Sequence, residues 1–584
     1  LFLSGSMNYR WTLVSQEPAP ITTLASGLGI SPLLARCLLN RGFRDIQSAQ
    51  EFLDPRLKRL SDPFLEPGMR VAVDRIYESM VRSEPVLIFG DYDVDGVTST
   101  AILLEVFKTL GIPVTHYLPN RQEDGYGLSL ETVRRCLERH PTRLLLAVDC
   151  GSTETASIQW LGEQGVDVVV LDHHQISVPP PSALALVNPL AGRLGPDNQG
   201  ESPCSAGLAF KLAHALMKRG REMGLVAAQK FDLKSLLDLV ALGTIADLVP
   251  LTGENRIFAS AGMKRLNTTT RPGLKALKEV AQLNGSVGVH SVGFQLAPRL
   301  NAAGRLGDAD VALRLLMCSE TGEASELVAL LDASNRDRQD IERGITGEVI
   351  KRVQSKFNPE TDFAIVEGQE NWHVGVVGIV AARVMRQFYR PTIILGGESG
   401  EWRGSGRSID GFDLAAALRA CGDVLLRHGG HAMAAGLSIQ SDRVDEFRLR
   451  LNAFARKCIS PEMLRPQLEM DAEVSLTELT LERVEELGAI EPVSHGNRGV
   501  RFVVRGVRCQ RPPMPLGKER KHLKLWVTDD RETRETLWWN AGDGRVPDGV
   551  FDLAFVPEIN EFNGRRTVNL KLLDWQPVVE EFNS

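Results

Sequence analysis

Three short apolar runs each end in an acidic or histidine-bearing motif. Val86–Phe89 leads into Gly90-Asp91-Tyr92-Asp93-Val94-Asp95-Gly96, Leu144–Val148 into Asp149-Cys150-Gly151, and Val168–Leu171 into Asp172-His173-His174. Between and around them, Thr98 to Leu110, Leu130 to Arg139 and Thr155 to Gln164 carry apolar residues at helical spacing, and Val114–Leu118 reads as a further strand. Strands alternating with helices of this length predict a parallel α/β sheet. In such a sheet the strand carboxyl ends share one edge, where ligands bind. Carboxylates and imidazoles delivered there from several strands predict a cage for hard divalent cations, the outline of a metallo-phosphoesterase.

Asp91, Asp93 and Asp95 alternate, so on an extended segment they would face one way. Crowded carboxylates repel unless cations lie between them. A calcium loop of the EF-hand type is the competing reading, but the flanking helix and the ligand at the twelfth position are missing. Gly243-Thr244-Ile245-Ala246-Asp247 is a fourth motif, with Asp247 expected near the end of a helix just before Pro250. Oxygen and imidazole donors without thiolates point to Mn²⁺ or Mg²⁺ rather than structural zinc. Two such ions can activate a water and steady both oxygens of an in-line phosphoryl displacement.

A chain of 584 residues predicts roughly three or four domains. Residues 1–70 form a helical lead, in which Leu1–Ser6 reads as the remnant of an expression tag before Met7. Residues 71–322 form the α/β domain that carries the motifs, and 323–357 a long, polar connecting helix. A smaller α/β unit follows at 358–460, with two glycine-rich turns at Arg403-Gly404-Ser405-Gly406-Arg407-Ser408 and Gly429–Gly436. From 465 to 578 five short strands predict a small closed barrel such as an OB-fold. The eight cysteines show no zinc-type spacing and fit a reduced, cytoplasmic setting. No apolar run approaches the ~20 residues of a membrane span.

Net charge is −7, so any nucleic-acid partner must be held by local patches. One such patch runs from Arg498 to Lys524, where nine Lys or Arg residues accompany one acid, Glu519. A solvated hairpin is the plain explanation. Against it stand Phe502, Trp526, Trp538 and Trp539, since a basic groove with aromatic rings suits single-stranded nucleic acid.

Asp93-Val94-Asp95-Gly96, Asp149, Asp172-His173-His174 and Asp247 resemble the successive motifs of the DHH phosphoesterase superfamily. Gly429-Gly430-His431-Ala432-Met433-Ala434-Ala435-Gly436 resembles the signature of its DHHA1 domain. Pro119-Asn120-Arg121, Glu123–Gly127 and Pro298–Leu306 are similar to the bacterial single-strand-specific 5′→3′ DNA exonucleases within it. The resemblance implies a DHH domain and a DHHA1 domain joined by the long helix, with an OB-like domain behind them. It implies Asp93, Asp95, Asp149, His173 and Asp247 as metal ligands, with Asp149 as the bridge. Asp91 would stand next to that shell and His174 against the scissile phosphate. Phe89 takes the place of a metal-binding histidine in related pyrophosphatases, which implies a weaker first metal site. Arg403, Ser405, Gly406, Arg407 and Ser408 would form an anion nest that, with Arg121 and Arg305, holds a terminal 5′-phosphate, and His431 would approach the substrate. The implied enzyme is a Mn²⁺- or Mg²⁺-dependent exonuclease of recombination and repair. Single-strand binding protein and a RecQ-type helicase are partners by family, and a monomer is the default. A phosphodiesterase of short oligonucleotides or cyclic dinucleotides is the alternative, as is a binding protein without catalysis.

Overall fold

A computed structural model describes residues 9–14, 18–120, 127–192, 202–398, 400–541 and 546–578. Arg121 and the stretch from Glu123 to Tyr126 lie outside the described residues. The chain divides into two compact units. One comprises Asp54–Asp340 with Pro492–Arg498, and the other Leu1–Leu53, Ile341–Glu491 and Gly499–Ser584.

The first unit is built on five parallel strands, β1 (Val86–Gly90), β2 (Val114–Tyr117), β3 (Leu144–Val148), β4 (Asp167–Leu171) and β5 (Ala185–Val187), in the order β2-β1-β3-β4-β5. Every residue of β1 and β3 is buried, as expected where helices cover both faces of a parallel sheet. Val86, Ile88, Leu146 and Val148 join the larger core on one face. Leu87, Phe89, Leu145 and Ala147 pack into a smaller core on the other. Phe89 is fully buried and stacks on Tyr117 at 5.5 Å between ring centroids, so the position of the expected histidine is a packing position here. The strand order reverses between β1 and β3, and that switch point is where doubly wound sheets bind ligands. β5 is a strand that the sequence pattern did not predict.

The expected extended run from Asp91 to Asp95 is not formed. Asp93 caps a helix, Val94–Leu110, and its carboxylate accepts from the amides of Asp95 and Gly96. An aspartate one residue before a helical run is a strong N-cap, and this local preference overrides the alternation.

In the second unit, helix Thr321–Lys356 runs in from the first unit. A five-stranded sheet follows, with β6 (Ile365–Glu370), β7 (Thr392–Gly397), β8 (Glu401–Arg407), β9 (Arg427–Gly430) and β10 (Ala434–Gln440) in the order β9-β10-β8-β7-β6. The two glycine-rich segments read as turns are largely strand. A Cβ at Gly404 would sit 2.5 Å from Leu395 and one at Gly406 2.6 Å from Leu414, so these glycines serve close packing rather than chain reversal.

The C-terminal part is a seven-stranded sheet. Its strands are β11 (Ala472–Glu473), β12 (Phe502–Cys509), β13 (Met514–Leu516), β14 (His522–Thr528), β15 (Thr533–Trp538), β16 (Val550–Phe562) and β17 (Arg565–Pro577), ordered β11-β12-β16-β17-β15-β14-β13. The expected closed barrel is corrected to a curled sheet. β12 meets β14 over only two residue pairs, Arg508–Thr528 and Cys509–Val527, and the very short β11 and β13 end the order. The N-terminal segment adds an unexpected strand, Arg10–Leu13, parallel to Gln467–Met470.

Candidate metal centre

At the carboxyl edge of β1, β3 and β4 the three strand-end motifs meet. Asp91, Asp93 and Asp149 offer one oxygen each within 4.8 Å of one another, and Asp95, His173 and Asp247 form a second such group. A third joins Asp149 of the first group and His173 of the second to His174, so Asp149 and His173 each belong to two groups. Asp91, expected beside the shell, thus stands in one of the candidate ligand groups.

Local backbone chemistry sets each carboxylate. Asp149 sits at φ +63°, in the left-handed region that Asp tolerates better than most side chains. Gly96 lies so close to the strand end that a Cβ would come within 2.5 Å of the Asp91 carbonyl oxygen, so only glycine lets the helix start there. Asp95 faces the start of helix Ser205–Glu222, accepting from the Ser205 amide at 2.7 Å and the Ala206 amide at 2.9 Å. Asp247 follows helix Leu237–Ala246 as its C-cap, close to where the sequence placed it.

His173 and His174 have opposite fates. The His174 ring nitrogen Nδ1 lies 2.7 Å from Asp172 Oδ1. Burial works against the charged imidazole, but the hydrogen bond and charge of Asp172 outweigh it and lift His174 to about 9. Burial alone would raise Asp172 too, yet the hydrogen bond and charge of His174 hold it below the ordinary carboxylate range. Asp172 also accepts from the amides of Ser152, His173 and His174, so it is a hub for the loop rather than an open ligand. His173 is pushed down to about 4, chiefly by burial and then by the neighbouring His174 charge.

The donor set fits divalent cations. His173 Nε2 is buried and has no hydrogen-bond partner among the described residues. It faces Asp149 at 3.6 Å, Asp247 at 3.5 Å and Asp95 at 3.8 Å. A neutral imidazole lone pair aimed at three carboxylates is unfavourable unless a cation lies among them. Donors sharing an ion at about 2.1 Å stand roughly 3–4 Å apart, which is the spacing seen. Without a cation, burial raises Asp95 to about 6, helped by the charge of Asp93. Burial and the neighbouring carboxylates raise Asp149 and Asp247 well above their ordinary value. Cys150 and Cys204 are buried beside the centre with thiols pushed up by burial, so they offer no thiolate that would favour zinc.

Three polar residues to which the sequence assigned no role, Asn301 among them although its motif Pro298–Leu306 stood out, support this arrangement. The Ser205 hydroxyl donates to Asp149 Oδ1 at 2.8 Å. Asn188 donates to the His174 carbonyl and to the Ser152 hydroxyl. Asn301 accepts from the Val94 amide at 3.0 Å. Asn301 lies in the helix Ala297–Leu306, one turn before Arg305. In the second unit, Arg407 donates to Ser405 Oγ at 2.9 Å on β8, and both stand beside Gly378 in the first turn of helix Val377–Phe388. His431 is exposed between β9 and β10.

Residues 85–244 match the DHH family N-terminal domain, 360–457 the DHHA1 domain and 470–574 the RecJ OB domain. The single-stranded-DNA-specific exonuclease RecJ of Bacillus subtilis is 36% identical over 571 residues, covering 97% of this chain and 70% of the relative. That of Haemophilus influenzae is 35% identical over 593 residues, covering 97% and 100%. The crystal structure of RecJ from Thermus thermophilus in complex with Mn²⁺ matches with a TM-score of 0.83 at 32% identity, over 98% of this chain and 80% of that one. The Mg²⁺ complex gives 0.78 at 30% identity, over 98% and 79%. Identity of about a third sustained over 97% of the chain spans all three matched domains rather than one, and the chain belongs to the RecJ family.

Proposed function

We propose that this chain is a metal-dependent exonuclease that removes 5′-mononucleotides from single-stranded DNA in the 5′→3′ direction, in recombination and repair. The observation that carries the reading is the convergence of Asp91, Asp93, Asp95, Asp149, His173 and Asp247 in overlapping groups, to two of which Asp149 and His173 each belong. These six residues would hold two Mn²⁺ or Mg²⁺ ions. When bound, the ions supply Lewis acidity at the phosphodiester and lower the cost of gathering so many carboxylates.

The protein's own residues do the rest. Ser205 fixes the Asp149 carboxylate, and Asp93 anchors the loop through its helix cap. His174, held in place by Asp172, is proposed to meet the phosphate at the reacting bond. Arg305 in the first unit, and Ser405, Arg407 and His431 in the second, are proposed to touch the substrate, and the same role is proposed for Arg121. The C-terminal sheet is proposed as an OB-like strand-binding domain. The protein is proposed to act in the cytoplasm as a monomer, with single-strand binding protein and a RecQ-type helicase as partners.

The test is digestion of a 3′-labelled oligonucleotide, single- or double-stranded, with Mn²⁺, with Mg²⁺ or with EDTA. A metal-dependent ladder that shortens from the 5′ end of the single strand alone is expected. Cleavage in EDTA, or none with either metal, would sink the proposal.

A further inference from the structure

On the second unit's sheet, Arg403, Ser438 and Arg427 form one cross-strand row. Arg403 on β8 pairs with Ser438 on β10, and Ser438 pairs with Arg427 on β9. Directly paired residues project from the same face, so the serine stands between two arginines. Leu437 and Ile439, its chain neighbours, point the other way into the core. Both arginines are exposed. Among the described residues neither guanidinium makes a hydrogen bond or an ion pair. Ser438 is only 6% exposed, and its hydroxyl has no hydrogen-bond partner among the described residues. Glu401, one row outward opposite Gln440, makes no ion pair with either arginine.

The adjoining row is bare. Gly429 and Gly436 pair with each other, and Gly436 pairs with Ser405. A Cβ on Gly429 would meet nothing within 4 Å, and one on Gly436 only the Gly404 carbonyl at 3.8 Å. Packing therefore does not require glycine at either position, and the open floor leads from this row to Ser405 and Arg407. Residues two apart on a strand are about 6.7 Å apart, so the row is distinct from that pair yet on the same face.

We propose that Arg403, Ser438 and Arg427 form a second anion subsite that takes a phosphate group. Paired strands lie about 4.8 Å apart, so the two arginine backbones flank the serine at roughly twice that distance. Two guanidinium forks can close on one phosphate from opposite sides, and the orphaned hydroxyl can donate to it. The phosphate belongs either to the nucleic-acid strand or to a free anion such as pyrophosphate. The strand source rests on the function proposed above, whereas the free-anion source does not.

Both sources are tested on the full-length protein by comparing the wild type with the Arg403→Ala/Arg427→Ala double variant. Calorimetric titration of pyrophosphate into metal-free protein reads the free anion. Steady-state digestion of the labelled oligonucleotide across a range of salt reads the strand. If the strand fills the subsite, the variant's KM rises about tenfold or more for each arginine removed while kcat stays within about twofold. The salt dependence should flatten by roughly 0.7 in log–log slope for each phosphate that an arginine no longer neutralises. If a free anion fills it, pyrophosphate binding is abolished and KM holds. Single Arg→Lys variants, which keep the charge, should recover part of either effect. Unchanged KM, salt slope and pyrophosphate binding in the double variant would overturn the subsite. A wild type that degrades no DNA would instead overturn the function, and the titration would still stand as a test of the subsite.

Discussion

The Ser205 hydroxyl donates a 2.8 Å hydrogen bond to Oδ1 of Asp149, while the amide of the same residue donates to Asp95. One serine at a helix start therefore positions a carboxylate from β3 and another from the first turn after β1. Ser205→Ala removes only the hydroxyl, because the amide bond to Asp95 remains. Metal affinity should fall about 10- to 100-fold, with activity restored at high Mn²⁺. Activity titrated against Mn²⁺ checks this, and a variant with the wild-type metal curve would refute it.

Asp149→Asn tests the shared position without disturbing its backbone, since asparagine also tolerates positive φ. Cleavage should drop below detection. The metal-free variant should be at least as stable as the wild type, because one member of a repelling cluster has become neutral. Thermal melts with and without Mn²⁺ read both effects. A destabilised metal-free variant would mean that the carboxylate is structural.

The raised carboxylates make a pH prediction. Asp95 stands at about 6 in the metal-free fold, against 3.8 ordinarily, through burial and the charge of Asp93. Asp149 and Asp247 are raised in the same direction by burial and the neighbouring carboxylates. A carboxyl with a raised folded pKa binds its proton more tightly when folded. The stability it contributes is complete below about 4 and is lost as pH rises through about 6. Metal-free protein should therefore melt lower at pH 8 than at pH 5. The gain in Tm on adding Mn²⁺ should grow over the same window, because the cation replaces the protons. A Mn²⁺-induced gain that shrinks from pH 5 to pH 8 would contradict the arrangement.

Gly243 marks a close approach of helices. A Cβ there would lie 2.7 Å from Asp95 Oδ1 and 2.5 Å from the Ala206 Cβ. Gly243→Ala should cost about 1–3 kcal/mol by overpacking and displace Asp95, lowering activity more than the loss of stability explains. Equal activity per folded molecule would show that helix 237–246 has room to shift.

The parallel sheet and its edge were legible because buried strands read as unbroken apolar runs, and Val86–Phe89, Leu144–Val148 and Val168–Leu171 are each followed within two residues by an acid. The split of Asp91, Asp93 and Asp95 into two groups was not, since it depends on where the helix begins. The contacts of Ser205 and of Asn301, whose motif Pro298–Leu306 did stand out, were not legible for a related reason. Each is far in sequence from the backbone or carboxylate that it holds, and a serine at the first position of an apolar helix does not name the carboxylate its hydroxyl will reach. Glycine in Arg403–Arg407 read as a turn because a sequence does not show which side chain, here Leu395 or Leu414, fills the space that the missing Cβ leaves.

The C-terminal tryptophans separate in the structure although they are adjacent in sequence. Trp538 is 7% exposed, whereas Trp539 is 46% exposed with its ring edge-on to His522 at 4.8 Å between centroids. Trp526 is already covered by the Arg511 guanidinium, 3.4 Å from its ring centre, so that face is taken. Trp539 is thus the tryptophan of the three best placed to stack on a base. Trp539→Ala should weaken single-strand binding by about 1–3 kcal/mol, or roughly 5- to 150-fold, with little change in Tm. Trp538→Ala should lower Tm through a loss of about 3–5 kcal/mol of packing. Fluorescence anisotropy with a labelled single strand, paired with thermal melts, separates the two. If Trp539→Ala binds like the wild type while Arg511→Ala does not, the strand follows the Arg511 side of the sheet and Trp539 is only a surface ring.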